Sequence, residues 1–194
     1  MALYNKNILF VIGVSGTGKS TIAKLLAEEL NLPFFDGDDF HSEANIEKMS
    51  NKIPLTDEDR YEWLVTLNKL AVNNQETGAV IVCSALKESY RNILANKIEE
   101  KVVWISLESS FELLLERLQK RKGHFMPAEL LRSQLDTFEP PTKAIKISIV
   151  PSPQEIVEQI KPKTPPCWLG SFYYCVSTSL HHLNNLDIKI IARH

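Results

Sequence analysis

Eight residues near the start of the chain, Gly13-Val14-Ser15-Gly16-Thr17-Gly18-Lys19-Ser20, combine three glycines with a lysine and a hydroxyl. Their spacing is that of a phosphate-binding loop. Glycines let the backbone close around phosphate oxygens and turn their N–H groups inward. Lys19 is placed to reach β- and γ-phosphates, and the Ser20 hydroxyl to ligate Mg²⁺. With Thr21 these residues form the expected nucleotide-binding set. The flanks have the required form. Ile8-Leu9-Phe10-Val11-Ile12 reads as a buried strand, and Ile22, Leu25, Leu26 and Leu30 recur at helical spacing. The start of that helix adds partial positive charge where a phosphate would sit.

A second group of chemically capable residues is Asp36-Gly37-Asp38-Asp39-Phe40-His41. It follows a short apolar run, Pro33-Phe34-Phe35, so the acids leave a strand end. In phosphoryl transfer one acid positions Mg²⁺ and another accepts the proton of the attacking hydroxyl. We assign Asp36 to the metal and Asp38 to the substrate. An acidic turn capping the next helix is the plainer alternative.

Three cationic segments follow. Arg60, in Pro54-Leu55-Thr56-Asp57-Glu58-Asp59-Arg60, lies one turn into a helical pattern whose buried face is led by Trp63. Its guanidinium can fork onto a carboxylate or pair with a surface acid. In Cys83-Ser84-Ala85-Leu86-Lys87-Glu88-Ser89-Tyr90-Arg91, the spacing of Lys87 and Arg91 predicts one shared helical face. Two cations there suit an anionic substrate, or equally a solvated face with Glu88. Arg117-Leu118-Gln119-Lys120-Arg121-Lys122-Gly123-His124-Phe125-Met126 reads as a basic helix end followed by a glycine hinge. A lid bearing Arg121 excludes water and neutralises charge on the transferred phosphoryl group. The helix dipole alone also favours a basic C-terminus.

Alternating strands and helices must position these groups. Strands are expected at Ala79–Cys83, Val102–Leu107 and Ala144–Ile149. Helices are expected from Thr56 to Asn74, with Thr56 and Asp59 as cap and partner, from Ser109 to Lys120, and from Pro153 to Ile160. This order predicts a parallel sheet with helices on both faces and ligands at the C-terminal strand ends.

The 194 residues suit one domain with a small appendage, and 44% hydrophobic with 24% charged residues is an ordinary globular composition. A net charge of −2 gives no broad attraction to nucleic acid. No apolar run reaches the roughly 18 residues of a membrane span. Residues 1–6 lead straight into the first strand, so no signal peptide is expected. Three cysteines, Cys83, Cys167 and Cys175, do not form a disulfide framework, and a reducing cytoplasm fits.

The character of the chain changes at Lys161-Pro162-Lys163-Thr164-Pro165-Pro166, a proline-rich linker. Residues 161–194 read as an atypical, ill-packed or disordered tail rich in aromatics (Trp168, Phe172, Tyr173, Tyr174). The spacing of Cys167, Cys175, His181 and His182 fits no standard zinc pattern.

Taken together, the chain resembles the gluconokinases of the shikimate-kinase-like branch of P-loop kinases. The matching stretches, in order, are Gly13–Ser20, Asp36-Gly37-Asp38 with His41, Asn45–Met49, Pro54–Arg60 with Trp63-Leu64, Cys83–Lys87 with Tyr90-Arg91, Arg121–Phe125, and Ser133-Gln134-Leu135 with Glu139-Pro140-Pro141. The Cys-Ser-Ala-Leu-Lys and Lys-Gly-His-Phe segments are the more specific. The likeness covers about residues 6–160, giving a kinase domain over 1–160 with a mobile lid near 121–140. It implies a three-layer α/β fold with a five-stranded parallel sheet, and ATP- and Mg²⁺-dependent phosphorylation of D-gluconate to 6-phospho-D-gluconate, feeding the pentose phosphate pathway. It also implies a homodimer. Among residues it supports Lys19, Asp38 and Arg121 in catalysis, Arg117 near the adenine, and Asp38, His41, Arg60, Lys87, Arg91 and His124 at the sugar acid. Two departures are the short connection from Pro141 to Ala144 and the unmatched tail. They leave open a kinase for another hydroxy acid, or a nucleotide-binding protein with impaired transfer.

Overall fold

A computed structural model describes residues 6–51, 53–120 and 128–163. Five strands, β1 (Ile8–Ile12), β2 (Phe34–Asp36), β3 (Ala79–Val82), β4 (Val102–Glu108) and β5 (Ile145–Ser148), form one sheet in the order β2-β3-β1-β4-β5. Every pairing is parallel. The central strands β1 and β3 are buried along their whole length, which is why they read as unbroken apolar runs. β5 at the edge alternates instead, with Ile147 buried between exposed Lys146 and Ser148.

Helices cover both faces. Leu9, Val11, Val80, Val82, Ile105, Leu107 and Ile147 face α1 (Lys19–Leu30), α5 (Phe111–Lys120), α6 (Ala128–Thr137) and α7 (Pro153–Ile160). Their neighbours in the pleat, Ile8, Phe10, Ile12, Ala79, Ile81 and Cys83, face α3 (Asp57–Asn73) and α4 (Glu88–Ala95). A period of two thus builds two cores from one sheet.

Local signals set the element ends. Thr56 and Asp59 form a complete capping box at the start of α3, and Ser152 and Glu155 form another at α7, where Pro153 opens the helix. Ser42 caps α2 (Glu43–Ser50) through Asn45 N–H. Asn31 ends α1 in the left-handed region.

Two details differ from the sequence expectation. The second strand extends to Asp36, because its backbone pairs with Val82. Lys87 does not share a helical face with Arg91: it is extended at the N-cap of α4, and Arg91 is buried. Within the segment expected as a lid, residues 128–137 form α6, with Leu131 fully buried. Arg121, His124 and 164–194 lie outside the described residues, which end in a short 3-10 turn at Lys161–Lys163.

Candidate active site

The phosphate loop leaves β1 and enters α1 through three glycines with positive φ: Gly13 (141°), Gly16 (85°) and Gly18 (84°). At Gly13 space as well as torsion requires glycine, since a Cβ would stand 2.8 Å from the Leu107 carbonyl oxygen. The loop is braced from within. Thr17, buried, donates its hydroxyl to Val14 O at 2.8 Å, and Lys19 Nζ donates to the same carbonyl at 3.1 Å. It is also braced from outside, where Gly13 N–H donates to Ser84 O at 3.4 Å and ties the loop to the end of β3.

Lys19 is half-buried at the first turn of α1. Burial pulls its pKa below the ordinary lysine value, opposed by the negative field of Asp38 and Asp36. Burial alone disfavours the charged form, and neighbouring anionic phosphates would favour it again.

Asp36 ends β2 facing the loop. Its Oδ2 accepts the Ser20 hydroxyl at 2.9 Å, and its Oδ1 accepts Asp38 N–H at 3.2 Å. One carboxylate oxygen thus caps the turn that follows β2, and the other reaches the hydroxyl at the start of α1. Ser20 and Asp36 together make an oxygen-only donor pair, which suits a hard divalent cation. Asp38 is pushed above the usual carboxylate value, first by the protein around the cleft and then by Asp36. Its side chain is 86% exposed, so cleft water screens much of that push.

The floor behind these acids is aromatic. Trp63 Nε1 donates to Gly37 O at 2.7 Å, and the His41 ring stacks on Trp63 with centroids 4.3 Å apart and planes 15° apart. His41 Nε2 lies 4.0 Å from Asp38 Oδ1, while Nδ1 is buried without a partner. Burial lowers its pKa more than Asp38 raises it, and Arg60 lowers it further. The neutral ring is thus favoured beside the carboxylate.

A cationic wall stands at the starts of α3 and α4. Lys87 binds both Asp57 oxygens, at 2.8 and 2.6 Å, and the Tyr90 hydroxyl donates to the same carboxylate. Arg60 donates to the Leu55 and Thr56 carbonyls and lies 6.0 Å above the Tyr90 ring, rather than pairing with Glu62. Arg91, buried, donates to Ala85 O at 2.9 Å and Leu86 O at 3.3 Å. It therefore shapes the loop after β3, whose Ala85 has φ of 41°. Arg117 donates to Ile149 O at 2.8 Å, beyond the end of β5. Cys83 is fully buried with its thiol pushed up to about 12, which makes it an inert core residue.

The fold thus brings Gly13–Thr21, Asp36, Asp38, His41, Arg60, Lys87 and Arg91 to the C-terminal edge of the sheet. Asp57, Tyr90 and Gln134, which stand in the matched stretches of the sequence without an assigned role, join them. Asp57 carried one signal, its place in the first turn of α3 beside Arg60.

The sequence family described as Shikimate kinase matches residues 15–150. A probable gluconokinase of Dictyostelium discoideum is 45% identical over 169 residues, covering 80% of this chain and 84% of that protein. The thermosensitive gluconokinase of Escherichia coli K12 is 47% identical over 134 residues, covering 68% and 71% respectively. The crystal structure of a gluconokinase from Sinorhizobium meliloti 1021 superposes with a TM-score of 0.74 at 38% identity, covering 79% of this chain and 89% of that one. Phosphate loop, acid cluster and parallel sheet agree with these likenesses, and the chain belongs to the gluconokinases of the shikimate kinase family, ATP-using kinases of small molecules.

Proposed function

We propose that this chain transfers the γ-phosphoryl group of ATP to the terminal hydroxyl of D-gluconate, giving 6-phospho-D-gluconate. The gluconokinase relatives support the reaction. The observation that carries the substrate assignment is the cationic wall of Arg60, Lys87 and Arg91 at the starts of α3 and α4, with Lys87 paired to Asp57. A sugar acid is the neutral-bodied, anionic-ended molecule that such a wall matches.

In this reading Gly13 to Thr21 cradle the phosphates and Arg117 borders the adenine. Ser20 and Asp36 would hold Mg²⁺, which would supply charge neutralisation for the transferred group. Lys19 adds a fixed positive charge at the same phosphates. Asp38 accepts the proton of the attacking alcohol, with neutral His41, stacked on Trp63, beside it at 4.0 Å. An unactivated primary alcohol asks for alignment more than for a strong nucleophile, and the sugar-acid contacts supply it. Arg121 and His124 complete the set as lid arginine and sugar contact. We further propose a kinase domain over 1–160, a homodimer and a cytoplasmic setting. Among the described residues no helix is long and apolar enough to cross a membrane.

The test is a coupled assay for 6-phosphogluconate with ATP and Mg²⁺, offering D-gluconate, shikimate and a panel of sugar acids at equal concentration. Selective turnover of gluconate is expected. Preferential turnover of another acid would reassign the substrate, and none on any acceptor would remove the catalytic reading.

A further inference from the structure

One segment touches both halves of the site. From α6 the Gln134 side chain reaches the phosphate loop, where its Oε1 accepts Ser15 N–H at 2.8 Å. Just past the same helix, Glu139 is fastened to the loop after β3. Its N–H donates to Leu86 O at 2.8 Å, and its carboxylate accepts Glu88 N–H at 2.5 Å. A backbone N–H only donates, so the Gln134 oxygen must face the loop. The partners are 119 positions apart, so the bond exists only while α6 is seated. Fully buried Leu131, one turn before Gln134, keeps it seated.

The mechanical consequence follows from what each end holds. A loop rich in glycine has few side chains of its own to fix it, so a strut onto one of its amides sets that amide's position. Phosphates drawing the loop inward pull on Ser15, and Gln134 passes the displacement to α6. At the far end Glu139 holds Leu86 and Glu88, the residues that flank Lys87 and precede buried Arg91.

We propose that Gln134 is a positioning residue that couples nucleotide occupancy of the phosphate loop to the acceptor loop at Leu86–Glu88. The proposal rests on the reading that this loop receives gluconate. Gln134 acts through the Ser15 backbone and the helix that carries it. A residue that merely anchored α6 would change stability and leave the two sites independent.

The experiment uses the full chain and Gln134→Met, which keeps the length and packing of the side chain and removes the acceptor oxygen. Gluconate is titrated calorimetrically with and without a saturating non-hydrolysable ATP analogue and Mg²⁺. The ratio of the two affinities is the coupling, and it is reciprocal. In the wild type gluconate binds more tightly with the analogue present. In Gln134→Met the ratio falls by about 3- to 10-fold, the size of one net hydrogen bond, while gluconate affinity without analogue is unchanged. Gln134→Glu, which keeps an acceptor oxygen, retains the ratio but binds the analogue less well through its added negative charge. Equal ratios in wild type and Gln134→Met, or a wild-type ratio of one, overturn the proposal. If gluconate binds in neither state, the substrate reading falls separately. Coupling is then read from amide exchange at Leu86–Glu88 on adding the analogue alone. Protection lost in Gln134→Met supports the strut, and identical protection in both proteins overturns it.

Discussion

Replacing Lys19 with Met separates two effects that the wild-type residue produces in opposite directions. The side chain keeps its length and loses its charge. The ammonium is half-buried, and burial outweighs the pull of Asp38 and Asp36 on its pKa. The charged form is therefore worse off in the folded chain than in the unfolded one. The substitution removes one hydrogen bond to Val14 O, a net loss of about 0.5–1.5 kcal/mol. It does not orphan that carbonyl, because Thr17 Oγ1 still donates to it at 2.8 Å. Against the loss stands relief of a polar burial costing about 1–3 kcal/mol. The nucleotide-free variant should be more stable by on the order of 1 kcal/mol, a rise in Tm of about 2–4 °C for a chain of this size.

Turnover moves the other way. A preorganised donor at the developing phosphate charge is worth about 10²–10³ in kcat, so Lys19→Met should lose at least that. The pH dependence provides a sign check. The folded pKa lies below the unfolded 10.5. Between those values the unfolded chain binds more protons, so this group makes wild-type stability rise with pH. Lys19→Met lacks that contribution, and its stability advantage should shrink as pH approaches 10.5. Calorimetric melts across that range, with the coupled assay at neutral pH, test both arms. A variant that melts below the wild type at neutral pH would refute the reasoning, since the acids would then more than compensate the buried ammonium. Near-normal turnover would sink the phosphate-loop assignment itself.

Three further outcomes follow from the same geometry. Gly37→Ala drives a Cβ into the Val82 carbonyl oxygen of β3 and strains the turn that accepts Trp63 Nε1–H; we expect about 1–3 kcal/mol of destabilisation in urea melts with reduced kcat, and wild-type values in both would show that β2 and β3 can part freely. Arg60→Ala should raise KM for gluconate about 10- to 100-fold, the scale of a hydrogen bond to a charged group, with little change in kcat; an unchanged KM leaves the guanidinium as a brace for Leu55 and Thr56. Asp59 has its pKa lowered to about 2 by Lys48 and the Thr56 groups, so its stabilising effect is present above the unfolded value of 3.8 and lost as pH falls toward 2; Asp59→Asn should therefore be less stable than wild type at neutral pH and converge on it near pH 2, and a gap that persists there would assign the effect to something other than charge.

What could be read from the sequence was what short-range chemistry decides. The phosphate loop declares itself by spacing. β1 and β3 declare themselves because a parallel strand buried on both faces is an unbroken apolar run. The Thr56–Asp59 box is local and formed as read. Lys87 and Arg91 were misjudged as a pair because spacing of four reports a shared face only inside a helix. α4 begins at Glu88, and nothing local marks Arg91 as buried under its own loop. α6 lies behind the lid pattern, and Gln134 is legible there only as part of a matched stretch, because its partner lies 119 positions away. The acid cluster was legible as chemistry but not as geometry, since the division of Asp36 between Ser20 and Asp38 depends on where β2 stops.

The departures from ordinary folding rules are not spread evenly. Away from the cleft, α7 begins with a full capping box, and the positive φ values of Asn31 and Lys97 fall at helix ends, where such torsions are common. Around the cleft stand Ala85 in the left-handed region, a buried arginine, a His41 nitrogen without a partner and a lysine held below its usual pKa. Each is unfavourable alone and is held by something costly to move: Arg91 grips Ala85 O, Trp63 backs His41, and the Leu107 carbonyl leaves Gly13 no room for a side chain. Strain of this kind persists only where the surrounding scaffold over-determines it. The two cores packed on either side of the sheet supply that scaffold. Stabilising substitutions should therefore be easiest to find within the cleft, as at Lys19, and each should lower the activity that the unfavourable group serves.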